Sequence, residues 1–188
     1  MKKMIVAALL LAVSASFATA QDVDPTIGIY ADVDYTVCYA DIVPFLYTTV
    51  YVAAWLPDTV PAITATEFSV DGLPSPADAI VTWLWTTNLV IGDINFDISL
   101  AWGSAQPGPW VLFGQGDFFY LVEEEADHVL TVLEGMDCDC LVVVDDEFNT
   151  VPALGYQFTF NCSPGNDCLC TPETATQETN WGSIKALY

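Results

Sequence analysis

The chain has 188 residues, 53% apolar and 13% aromatic, and sets 25 acidic side chains against three lysines and no arginine, for a formal net charge of −22. Intrinsic disorder is excluded, because it requires low hydrophobicity. Nucleic acid is excluded as a partner, because no Lys or Arg cluster exists to neutralise phosphates.

In chain order, the first element is a secretory signal over residues 1–20. Lys2 and Lys3 form its basic start, residues 4–13 its apolar stretch, and Ala18-Thr19-Ala20 a small-x-small cleavage site. The apolar stretch is shorter than the roughly 18 residues of a helical membrane span. The mature chain from Gln21 keeps all 25 acids but only Lys185, so its net charge is −24. Its longest apolar run, 43–56, contains Tyr47, Thr48 and Thr49 and predicts no helical membrane anchor.

Strand periodicity dominates the mature chain. Residues 45–55 are apolar on both faces, and 64–70 places Thr66, Phe68 and Val70 on one side. Residues 80–85 form another doubly apolar run, the pattern of a central strand covered on both faces. Phe96, Ile98, Leu100 and Trp102 alternate with Asp97, Ser99 and Ala101, as in a half-buried strand. Doubly apolar runs recur at 111–113, 118–122, 129–133 and 141–144, and alternation returns at Tyr156, Phe158 and Phe160. Turn signals separate them, among them Asp71-Gly72-Leu73-Pro74, Gly92-Asp93, Gln106-Pro107-Gly108-Pro109 and Ser163-Pro164-Gly165-Asn166. The expected fold is all-β, an antiparallel two-sheet β-sandwich of about nine strands over 21–170. A polar tail, 171–188, ends in the short apolar segment from Trp181 to Tyr188.

Tyr47-Thr48-Thr49-Val50-Tyr51-Val52, together with Ile63-Thr64-Ala65-Thr66-Glu67-Phe68-Ser69-Val70-Asp71-Gly72-Leu73-Pro74, resembles the early strands of cohesin-type sandwiches. In that family a strand precedes a segment of the form I-x-A-x-E-F-x-V and a turn. The resemblance covers about thirty residues and implies an immunoglobulin/cohesin-like fold rather than a particular partner. The mature chain also resembles uncharacterised exported bacterial β-sandwich proteins that end in a Trp-Gly-x-x-Lys-x-Leu-Tyr-like tail.

Three groups of residues bear on chemistry. Cys38, Cys138, Cys140, Cys162, Cys168 and Cys170 favour three disulfides in an exported chain, with fifteen possible connectivities. Side-by-side pairing of the two C-x-C units would leave Cys38 for Cys162. Four thiolates from those units could instead hold Zn²⁺ or Cu⁺, although the spacing departs from common zinc motifs. Carboxylates supply calcium candidates: Asp93, Asn95 and Asp97, which begin like a calcium loop but lack its later Gly and Glu, and the pair Asp137 and Asp139. Trp83 and Trp85, on one strand face, and Trp110, after a Pro-Gly-Pro turn, are candidates for stacking on sugar rings; filling the core is the competing role.

The lone His128 has no second histidine for a zinc site and no flanking nucleophile motif. Paired carboxylates could serve a glycosidase, but no motif singles out such a pair. The expected function is therefore non-catalytic: an exported β-sandwich with an interaction or cell-surface structural role and a protein or glycan partner. A carbohydrate-binding module, with exposed Trp and calcium, is the alternative. An outer-membrane β-barrel is a further one, which the doubly apolar runs and cysteines oppose.

Overall fold

The computed structural model describes residues 23–136, 140–166, 168 and 170. The expected signal segment, the tail 171–188, and Asp137, Cys138 and Asp139 lie outside the described residues.

The described chain is built from strands: β1 (Thr26–Tyr30), β2 (Tyr39–Ala40), β3 (Tyr47–Trp55), β4 (Ala62–Asp71), β5 (Ala79–Trp85), β6 (Leu89–Asp93), β7 (Asp97–Pro107), β8 (Trp110–Tyr120), β9 (His128–Leu133), β10 (Val142–Asp145), β11 (Thr150–Pro152), β12 (Leu154–Gly155) and β13 (Gln157–Phe160). One sheet runs β12-β1-β3-β8-β5. The other runs β11-β10-β4-β9-β13-β2, with the β6–β7 hairpin joined to it through β4. Between Ala62 and Phe68, β4 pairs with β7 on one side and β10 on the other, and Ser69 to Asp71 pair with β9. Each sheet ends in free edges among the described residues, so the barrel alternative falls.

The sandwich encloses a core dominated by aromatics. Phe68, Phe113, Phe118, Tyr120, Phe158 and Phe160 are fully buried, with Ile27, Ile29, Ile63, Leu100 and Leu130 between them. Rings meet edge-on, as at Phe118–Phe160 with centroids 5.1 Å apart, the arrangement ring quadrupoles favour. The buried hydroxyls of Thr66 and Ser69 donate to the carbonyls of Val142 (2.9 Å) and Glu134 (2.8 Å), which offsets their desolvation cost.

Several sequence expectations change. The described strands number thirteen rather than about nine; the additions are mostly two to five residues long, too short to carry a periodic signal. The sheets are mixed, because β1–β12 and β13–β2 pair in parallel. Run 111–113 and residues 118–120 of the next run lie on a single strand, β8, through Gly114-Gln115-Gly116, and Leu121 and Val122 fall past its end. Phe96 does not open a strand but sits exposed in the β6–β7 turn, closed by its amide donating to the Asp93 carbonyl at 2.9 Å.

The cysteines pair as Cys38–Cys170 and Cys162–Cys168, and Cys140 is also disulfide-bonded. Cys38 therefore does not join Cys162. The turn after β13 brings Cys162 back towards Cys168, while Cys38, at the end of the loop after β1, meets Cys170. With their sulfurs oxidised, these cysteines cannot serve as thiolate ligands.

Candidate functional site

The outward face of the first sheet carries a cluster of exposed aromatic residues. Register places Tyr47, Phe119 and Ile80 in one row across β3, β8 and β5. Tyr47 is 72% exposed and Ile80 56%, and the Tyr47 and Phe119 rings lie 4.9 Å apart. Phe45, from the turn before β3, approaches Phe119 edge-on at 6.5 Å; Val43 and Leu46 of that turn are exposed as well. The next row is polar: Thr49, Asp117 and Thr82, with the Thr49 hydroxyl donating to Asp117 at 2.6 Å. A third row holds Tyr51, Gln115 and Leu84. Beyond Tyr51, β3 carries a register shift against β8, so this alternation ends there.

A second feature is a cleft of about 520 Å³ where the two sheets part. Val81, Trp83 and Trp85 of β5 form one wall; Val90, Gly92, Asp93, Ile94, Asn95 and Ile98 of the β6–β7 hairpin form the other. The Trp83 and Trp85 rings are parallel, 7° apart with centroids 5.4 Å apart. They lie over the backbone of β8: a Cβ at Gly116 would come within 2.5 Å of the Trp83 ring, and one at Gly114 within 2.6 Å of the Trp85 ring. The two glycines that interrupt the apolar pattern of β8 are thus seats for the two indoles. That relation is invisible to periodicity, because it joins residues about thirty positions apart.

Of the sugar-stacking candidates, Trp83 and Trp85 come together on the cleft wall, whereas Trp110 belongs elsewhere. It packs edge-on against Tyr30 at 5.6 Å and tilted against Tyr35 at 5.0 Å. With Trp55, Tyr156 and Cys170 these rings line a separate hollow of about 330 Å³. Asp32 holds the loop over it by accepting from the amides of Thr36 (2.9 Å) and Val37 (2.8 Å). Burial raises the Tyr30 phenol far above its ordinary range.

Among the calcium candidates, Asp93 and Asp97 are register partners across the β6–β7 hairpin. Asp93 accepts from the Asn95 amide at 2.9 Å and from its side chain at 2.7 Å, and these bonds hold its carboxyl below the usual range. Asp97 turns towards Gly135, with its Oδ1 buried. Asp137 and Asp139 lie outside the described residues. His128 sits 3.4 Å from Glu124 through Nδ1, and its Nε2 meets the Gly72 carbonyl at 2.6 Å. Both ring nitrogens are therefore engaged by oxygen atoms of the protein.

No family model and no curated protein matches this chain. The solved structures it is similar to include cohesin modules, the family its early strands resemble. One is the cohesin module of a Clostridium perfringens family 33 glycoside hydrolase: TM-score 0.48, 6% identity, covering 74% of this chain and 98% of that one. Another is a type III cohesin module from a cell-surface anchoring scaffoldin of Ruminococcus flavefaciens: TM-score 0.45, 11% identity, covering 77% and 91%. A third, CaCohA2 from Clostridium acetobutylicum, gives TM-score 0.43 at 15% identity, covering 76% and 93%.

Proposed function

We propose that this chain is a non-catalytic, exported interaction module that holds a protein partner on the outward face of β3, β8 and β5. The observation that carries the proposal is the row Tyr47–Phe119–Ile80 with the adjoining turn 43–46, an exposed apolar patch beside a hydrogen-bonding row. Contiguous exposed aromatics rimmed by polar groups mark protein contact surfaces, and aromatic anchors commonly dominate binding energy. The described body has no Lys or Arg, so the complementary surface is basic around an apolar centre. Both nitrogens of the one histidine face protein oxygens, so no imidazole nitrogen is left free to serve as a base. Mature protein coupled to a resin should retain a defined set of envelope proteins from the producing cell. Tyr47→Asp and Ile80→Asp should each cut that retention at least tenfold, and undiminished retention by both variants would discard the proposal.

Carbohydrate binding is the second reading. It is favoured by Trp83 and Trp85 standing on the cleft wall opposite Asp93 and Asn95. Saturable quenching of tryptophan emission by a soluble oligosaccharide, lost in Trp83→Ala, supports it. A glycan array with no retained sugar removes it.

A further inference from the structure

The free edges of the two sheets differ in length. Those formed by β2, β11 and β12 are two or three residues long, as expected where proteins suppress edge-to-edge pairing. The edges of β5 and β6 run seven and five residues, and they flank the cleft from opposite sheets. β5, Ala-Ile-Val-Thr-Trp-Leu-Trp, lacks the usual guards: it has no proline, no charge and no bulge in its pairing with β8.

Its hydrogen-bonding direction can be assigned. The Thr86 amide donates to the Phe113 carbonyl and the Leu121 amide to the Asp78 carbonyl, each at 2.8 Å. Antiparallel partners exchange bonds at every second residue, so Ile80, Thr82 and Leu84 bond to β8. Val81, Trp83 and Trp85 then direct their amides and carbonyls to the free edge, where no described strand pairs with them. Their side chains, meanwhile, line the cleft.

We propose that this edge takes up an extended peptide segment bearing Lys or Arg as an additional strand, with its inward side chains lodged in the cleft. Strand addition supplies affinity through the main chain and selectivity through pockets for alternate side chains. Charge names the occupant. The described body carries 19 Asp and Glu and neither Lys nor Arg, and Asp93 stands on the cleft wall. An acidic strand is repelled, and so is a second copy of this strongly acidic chain. A basic segment gains from the same field. The acidity thus keeps a long, unguarded edge from pairing with itself while leaving it open to a cationic partner.

The test uses the mature protein with its disulfides intact and a synthetic nine-residue peptide that alternates valine with lysine or threonine, with NMR amide exchange as the readout. Saturation should slow exchange at Val81, Trp83 and Trp85 at least tenfold. Val81→Pro, which removes a free-edge amide while sparing the β8 ladder, should weaken binding at least tenfold. N-methylating the peptide at alternate residues keeps its charge, leaves the protein unaltered and should also abolish binding, so the test stands even if Val81→Pro fails to fold. Tyr47→Asp should bind the peptide normally, which separates this site from the outward face. Equal binding of the N-methylated peptide or of a glutamate-for-lysine peptide overturns the proposal. So does the same protection produced by an oligosaccharide, or by self-association at high salt without peptide.

Discussion

At the scale of single residues, the seats for Trp83 and Trp85 give the sharpest prediction. Gly116→Ala places a methyl group where the Trp83 ring now lies, so the indole must move or the strands part. A cost of about 1–3 kcal/mol is expected, as for other overpacked sites. Urea unfolding measures it, and near-ultraviolet circular dichroism should lose the coupled signal of the two parallel indoles. Phe118→Ala, in the fully buried aromatic core, should cost about 3–5 kcal/mol. That Trp83 and Trp85 share a face is a consequence of two-residue spacing alone. That Trp110 instead packs with Tyr30 and Tyr35 depends on a loop folding back over the sheet, which no local pattern encodes.

At the scale of elements, the two described disulfides close loops of very different size: the partners are 132 residues apart for Cys38–Cys170 and 6 for Cys162–Cys168. Loop-closure entropy assigns about 5 kcal/mol to the first and about 2 kcal/mol to the second. Double alanine variants compared by denaturant midpoint should reproduce that order; equal losses would show that residual structure in the unfolded chain governs instead. β5 is the element whose sequence misled most. Its doubly apolar pattern suits a central strand, yet Ile80 and Leu84 point outwards half-exposed, and no strand among the described residues pairs with one of its edges. Apolarity on both faces records only that both faces avoid charge. It does not distinguish a strand covered by its own fold from one kept for a partner.

At the scale of the whole molecule, acidity sets the response to solvent. Four turn and loop carboxylates are held below the usual range by hydrogen bonds: Asp145 by Asn149, Asp127 by Ser163, Asp93 by Asn95, and Asp32 by Thr36 and Val37. A depressed carboxyl contributes stability that is present above its unfolded value, about 3.9, and is lost as pH falls through the folded value. Mutual repulsion among the acids works the other way and is relieved on acidification. The melting temperature should therefore rise from neutral pH towards about 4.5 and fall below about 3.5. Added sodium chloride at pH 7 should raise it by screening. Calorimetry across pH and salt checks both; a melting temperature insensitive to salt would mean that repulsion among the acids is negligible.

The sequence by itself determined the strand-built class, the acidic character, the oxidised cysteines and the parity of most strands. These arise from composition and from alternation at neighbouring positions, which the extended backbone enforces without reference to distant chain. Only the tertiary structure decided which strands lie at the edges, which cysteines meet, where Gly114 and Gly116 receive their indoles, and that β5 faces β6 across an open cleft. Each of those depends on which distant segments come to lie side by side. Many apolar strands compete for the same neighbours, and the choice is settled by packing of the whole core rather than by any residue's local preference.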